Sequence, residues 1–305
     1  MSSWIKSRTS EIGNSGLVVI ESDDGTRGDY THWFPLIYNK SLEYSGWFPP
    51  RLAVVCPNIN TGNIGNDNRM SWSEIRELYR MGWEINSHGQ YHTGLGKYNL
   101  TEAASVGDET ILANTSWFGV LGGYEYMITN GESSEFFGVD STSSGVISID
   151  KPLENNWDSD CWVELSEKGK TDLLQGAIDD INAHDIPCRH HVYTYHAGSE
   201  HQFNPASVEK VGELFLSGRG RQGDLNNAQT DLRRMRSRLI TSSLATTTID
   251  DILDDCVQND EVAIFYGHGE TSSDVLSLLE YIIDGSISRG IRIGTRQVAY
   301  EKLSQ

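Results

Sequence analysis

Hydrophobic positions follow two rhythms along this chain. Short unbroken apolar runs at 17–20, 51–57 and 261–268 have the length and the Gly, Pro or Asp boundaries of strands buried on both faces. Between them, apolar residues recur every three or four positions. Residues 71–81 set Trp72, Ile75, Leu78 and Tyr79 on one helical face, open with Ser71 and Ser73 as candidate N-caps, and stop at Gly82. The same period returns at 171–184, 207–216, 249–257 and 273–283, and a helix start is expected at 31–39. Shorter strands fit at 83–86, 189–195 and 290–294. Alternating strands and helices predict an α/β protein with a parallel sheet or barrel, whose functional residues collect at the carboxyl ends of the strands.

The rhythm changes between about 106 and 160. Four β-like runs there, at 110–112, 124–128, 136–139 and 145–149, are separated by Gly, Ser and Asn130-Gly131 turns. The expected organisation is therefore a first α/β part over 1–105, an all-β insertion over 106–160 and a second α/β part over 161–305. Residues 58–68 and 218–223 read as loops, the latter holding Arg219 and Arg221.

Composition narrows the function. A formal net charge of −19, from 43 acidic against 24 basic residues, argues against nucleic acid or an anionic membrane as partner, since phosphate needs the opposite sign. Only eight of the basic residues are Lys, and an acidic, Lys-poor surface suits concentrated salt, where self-repulsion is screened within about 3 Å at 1 M. An ordinary acidic protein fits as well. No apolar run reaches the roughly 18 residues of a membrane span, and the first residues lack the basic-then-apolar pattern of a signal peptide. Cys56, Cys161, Cys188 and Cys256 are too scattered for a zinc ribbon and are expected in the core.

Candidate chemistry lies at strand ends. The run 17–20 delivers Asp23 and Asp24 into a turn at Gly25, and 83–86 leads to His88 and His92. Imidazoles four residues apart can converge on a divalent cation, with a carboxylate as third ligand. The run 261–268 ends in His268, which reads equally as a buried histidine bonded to a carbonyl. Two further groups compete with ordinary structural roles: His190, His191, His196 and His201 as a second metal site, and Trp117, Phe118, Phe136 and Phe137 as a sugar-stacking platform.

In this order the motifs resemble those of the NodB-type polysaccharide deacetylases. Ser22-Asp23-Asp24-Gly25 resembles the first motif, with Glu21 and Ser22 where Thr and Phe are usual; His88-Gly89-Gln90-Tyr91-His92 resembles the second. Tyr193-Thr194-Tyr195-His196 stands where many members have Tyr-Pro-Tyr-Gly, and the strand ending in His268 resembles the last motif, with Gly269 in place of an Asp. The likeness covers roughly 17–100 and 170–300.

The resemblance implies a distorted (β/α)7 barrel with the small all-β insertion outside it. It implies that Asp24, His88 and His92 bind a divalent metal, Zn²⁺ being expected, that Asp23 is the base, and that His268 protonates the leaving group. Arg219 or Arg221 would orient the base, while Tyr193 and Tyr195 would contact substrate. The implied activity is removal of acetyl groups from a polysaccharide or other glycan. The alternative is a silent barrel that binds carbohydrate or serves as a structural virion protein. Barrels of this family that act on envelope polysaccharide work outside the cell, and the insertion resembles small β modules of tailed-virus virion proteins. Expected partners are thus a glycan and other virion proteins, in a particle infecting a salt-loving host, with the cytoplasm as the other location.

Overall fold

The computed structural model describes residues 16–44, 55–59, 61–66, 68–115, 119–195 and 204–305. The fold is α/β, with parallel strands in a curled sheet, flanking helices and a separate antiparallel sheet. In chain order the first part comprises β1 (Leu17–Ser22), α1 (Phe34–Glu43), β2 (Val55–Ile59), α2 (Trp72–Arg80) and β3 (Asn86–Ser87). Next come β4 (Tyr98–Asn99), β5 (Thr110–Leu112), β6 (Glu125–Thr129), β7 (Ser134–Ser143), β8 (Val146–Ile149) and β9 (Trp162–Leu165). The chain continues through α3 (Glu167–Asn182), β10 (His190–Val192), α4 (Pro205–Leu214), β11 (Ser217–Gln222), β12 (Leu225–Asn226) and β13 (Met235–Leu239). It ends with α5 (Thr246–Gln258), β14 (Val262–Gly267), α6 (Ser273–Ser288), β15 (Arg292–Gly294) and α7 (Arg296–Leu303). Among the described residues no helix is long and apolar enough to cross a membrane.

Two compact units divide the chain. The first takes Met1–Asn58, Ile64–Ile85 and Gln222–Gln305 and is built on β1, every residue of which is buried. Along its whole length β1 pairs in parallel with β14, from Leu17 opposite Val262 to Ser22 opposite Gly267. Its other edge is shared: β15 pairs with Leu17–Val19 and β2 with the second half, Ile20 to Ser22. Burial of every residue of β1 and β14 explains their unbroken hydrophobic runs. Leu17, Val19, Val262 and Ile264 join Ala299 and Leu303 of α7 in one cluster. Ser71 and Glu74 form a reciprocal capping box that starts α2 where the sequence places it.

The second unit takes Ile59–Asn63 and Asn86–Arg221. Its parallel strands are β3, β10 and β11, with His191 opposite Ser87 and His190 opposite Ser217. The sequence reads 218–223 as a loop because it is rich in Gly and Arg, yet ladder pairing to β10 makes Ser217–Gln222 a strand. The antiparallel sheet has the order β4-β9-β6-β7-β8-β5, with left-handed Ser144 and Gly145 turning β7 into β8. It reaches beyond 106–160, to Tyr98 on one side and Leu165 on the other. Its inward residues, among them Tyr126, Ile128, Phe137 and Ile147, share one core with Leu173 and Leu174 of α3 and Val211 of α4. A sheet that buries its face against these helices belongs to the second unit as a packed layer.

Candidate metal centre

In the first unit, β1 ends in two carboxylates with different surroundings. Asp23 is fully buried and its backbone N–H donates to the Gly267 carbonyl at 2.8 Å, the last rung of the ladder to β14. Asp24 turns out of the strand in the left-handed region, φ 74°, followed by Gly25 at 61°. For a non-glycine residue that conformation costs on the order of 1 kcal/mol and is retained where the surroundings enforce it. Here Arg69 Nη1 donates to the Asp24 carbonyl at 2.6 Å and lies 3.5 Å from Asp24 Oδ2, while the Met70 N–H donates to the Gly25 carbonyl at 3.0 Å.

His268 follows the end of β14. Its backbone N–H donates to Glu270 Oε2 at 2.8 Å and its ring Nδ1 lies 3.4 Å from Glu270 Oε1. Burial works against the charged imidazole, but the Glu270 hydrogen bond and the charges of Asp23, Asp24 and Glu270 outweigh it and raise the His268 pKa above its ordinary value. The loops after β1 and β14 meet backbone to backbone: a Cβ on Gly28 would sit 1.8 Å from the Gly269 carbonyl oxygen. Thr26 Oγ1 donates to the His268 carbonyl at 2.8 Å, and the buried Trp33 indole donates to that of Glu270 at 3.0 Å. Asp29 lies beneath, fully buried; desolvation, against the hydrogen bond donated by Ser22 and with repulsion from Glu270 and Asp23, raises its pKa to about 8. At neutral pH this carboxyl is mostly protonated.

In the second unit, His88 follows β3 directly. It is buried, and its Nδ1 lies 2.9 Å from the Val192 carbonyl. A carbonyl can only accept, so Nδ1 carries the proton and Nε2 keeps its lone pair, the tautomer that a metal ligand needs. The His92 ring lies 5.2 Å from that of His88, and Tyr195, itself left-handed at φ 52°, sets its ring edge-on 4.2 Å from His92. Tyr193 is buried, and its backbone N–H donates to the Arg219 carbonyl at 2.9 Å. Arg219 is wholly buried on β11, whereas the side chain of Arg221 lies outside the described residues.

Asp24 at the end of β1 in the first unit, and His88 and His92 after β3 in the second, are the three candidate metal ligands, each positioned by its own unit. One carboxylate and two neutral imidazoles suit Zn²⁺ in chemistry and number, with further positions left for water and substrate. Among the described residues the second cluster considered from sequence forms no such group. His190 and His191 alternate along β10 and are bonded to different serines, Ser217 at 2.9 Å and Ser87 at 3.3 Å, while His196 and His201 lie outside the described residues. Of the aromatic set, Phe136 is exposed, Phe137 is buried, and Trp117 and Phe118 lie outside the described residues. Glu270 and Asp29 are site residues that the sequence reading missed. The signal for Glu270 was an acid two residues beyond the strand-end histidine, hidden by Gly269, whose left-handed φ of 65° folds the chain back.

No protein-family model matches the chain, and no curated protein does. Solved structures similar to it include CE4 polysaccharide deacetylases, the NodB-type group that the motif order resembles. One is the Xyl-CE4 domain of a multidomain xylanase from the hindgut metagenome of Trinervitermes trinervoides, at 12% identity and a TM-score of 0.46, over 94% of this chain and 91% of the other. Another is the Streptococcus pyogenes deacetylase PplD in complex with acetate, at 11% identity and 0.44, over 77% and 71%. A third is a mutant CE4 family pseudoenzyme with restored activity, at 11% identity and 0.48, over 95% and 69%. What the site can do rests on its own residues.

Proposed function

We propose that the protein is a metal-dependent hydrolase that removes acetyl groups from a polysaccharide or other glycan. The reading is carried by the ligand pattern: Asp24 at the end of β1 with a second carboxylate, Asp23, next to it in the chain, and the His88 and His92 pair after β3, with the His88 Nδ1 held at the Val192 carbonyl. When bound, a divalent ion would polarise the acyl oxygen and lower the pKa of water to about 7. The buried Asp23 would then accept the proton, a task within reach of a carboxylate at that pKa. His268, whose protonated form Glu270 favours, would give a proton to the departing amine or alcohol. Arg219, the buried one of the two candidate arginines, would orient the base, and Tyr193 and Tyr195 would line the substrate. The glycan as substrate follows from the motif resemblance.

The test pairs metal analysis of the purified protein with acetate release from acetylated glycans. Bound zinc with turnover supports the reading. Metal bound without turnover on any acetylated glycan would replace it with carbohydrate binding on a silent barrel.

For the place of action we propose a virus particle of a salt-loving host, in which the enzyme meets a cell-surface glycan. The acidic, Lys-poor composition and the hairpin-rich antiparallel sheet support this. Proteomics of purified particles tests it, and abundance only in host cytosol would reject it.

A further inference from the structure

Beside Asp24, within the first unit, lies a cavity of about 530 Å³ lined by Arg27, Asn66, Asn68, Arg69, Ser71 and Glu74. On a molecule of net charge −19, this cavity gathers two guanidiniums and two carboxamides. Among the described residues the one lining carboxylate is engaged: Glu74 Oε2 accepts the Ser71 N–H at 2.7 Å and the Ser71 hydroxyl at 2.9 Å, and Oε1 stands 3.6 Å from Arg27 Nε. Arg69 uses Nη1 on the Asp24 carbonyl, and the Arg27 side chain is 65% exposed. Arg69 Nη1 also stands 3.5 Å from Asp24 Oδ2, and among the described residues the Nη2 of Arg69 and both Nη of Arg27 have no protein acceptor.

The walls are fixed by backbone. The Arg27 N–H donates to the Asn68 carbonyl at 2.8 Å, the Arg69 N–H to that of Asn66 at 2.9 Å, and the Gly65 N–H to that of Met70 at 3.0 Å. A preformed pair of guanidiniums is the usual recognition element for a carboxylate or phosphate, which each fork can meet with two parallel hydrogen bonds. Arg69 touches both this cavity and the residue proposed as metal ligand, so the anion would sit on the sugar that carries the acyl group or on its neighbour.

We propose that this cavity binds an oxyanion of the glycan, so that the substrate is an acidic polysaccharide, a uronate polymer in the first instance. The inference rests on the hydrolytic reading for its substrate class, but it is tested by binding alone. Calorimetry with the zinc-loaded protein compares O-acetylated oligogalacturonate, its methyl ester, O-acetylated oligoxylose and an O-acetylated phosphate-bearing glycan. Tighter binding of the uronate or the phosphate glycan than of the two neutral ligands, by about tenfold and shrinking with salt, is expected. Arg27→Gln, at a largely exposed side chain, should reduce the acidic ligand to the affinity of the neutral ones, and Arg27→Glu should take it lower. Equal affinity for acidic and neutral ligands, or a preference that survives both Arg27 variants, overturns the inference. Acid-selective binding without acetate release would leave it standing and count against the hydrolase.

Discussion

The carboxylate of Glu270 holds His268 at two points, accepting its backbone N–H at 2.8 Å and lying 3.4 Å from its ring Nδ1. Nδ1 is thereby committed to Glu270, and Nε2 remains as the nitrogen that can pass a proton to a leaving group. One residue beyond the position where the resembling family often carries an Asp, Glu270 supplies the carboxylate partner.

This pairing fixes a pH dependence. The His268 pKa lies above its ordinary value in the folded protein, and the proposed acid must be protonated, so activity should be lost as pH rises through that raised pKa. Glu270→Gln removes one of the raising interactions. The alkaline limb of kcat/KM should move to lower pH in that variant, with metal content unchanged; a limb that stays in place would separate His268 from the proton transfer.

Neighbouring carboxylates should behave differently. Asp23→Asn removes the proposed proton acceptor and keeps the ligand set, so acetate release should fall by about 10² to 10⁴-fold with zinc still bound. Asp24→Asn and His88→Ala should lose the metal itself, read by elemental analysis. Identical behaviour of the two Asp variants would reject the division of roles.

Asp29 should make the protein less stable as pH rises. Its pKa is about 8 folded against 3.8 for an ordinary aspartate, so the folded state binds the extra proton between these values and the contribution to stability declines across that window. Asp29→Asn keeps an oxygen to accept the Ser22 hydroxyl and cannot ionise. At pH 8 it should be more stable than the parent by on the order of a few kcal/mol, with the difference vanishing near pH 4. Urea titrations at the two pH values measure it.

Glu21, where the resembling motif has Thr, pairs with Arg296 of α7, both side chains wholly inaccessible. Glu84 accepts the Gln297 N–H at 3.0 Å beside them, and desolvation, against hydrogen bonds from Thr295 and Gln297 and the Arg296 charge, raises its pKa. Arg296→Met should cost roughly 3–5 kcal/mol, because it strands buried negative charge. Adding Glu21→Thr should recover much of that loss in chemical denaturation; no recovery would show that the pair is not the source.

How much of this was legible depended on whether a residue's partner was local. Asp23 and Asp24 could be placed because an unbroken apolar strand ends just before them, and α2 because Ser71, Glu74 and Gly82 mark its ends within one short stretch. The Asn130-Gly131 turn announced a hairpin for the same reason. Arg219 was read as a loop residue, since the ladder that makes its segment a strand is supplied by β10, far away in the sequence. Asp29 and Arg296 gave no signal, as burial of an acid or a guanidinium is decided by tertiary packing and by partners such as Ser22 and Glu21. The antiparallel sheet was visible run by run, but its sharing of a core with α3 and α4 was not, because a period-two pattern tells which face is inward and not what covers it.

β1 meets three strands at once, β14 on one edge and β15 then β2 on the other. A single-residue insertion or deletion in it would therefore need three registers to shift together, and would also send alternate side chains to the wrong face. Drift in this lineage should accordingly fall on the loops, where Asn66, Asn68 and Arg69 can change what is recognised, while the distance from Leu17 to Asp24 stays constant to the residue. Libraries aimed at changing the proposed glycan preference are best confined to those loops, with the strand left as a ruler.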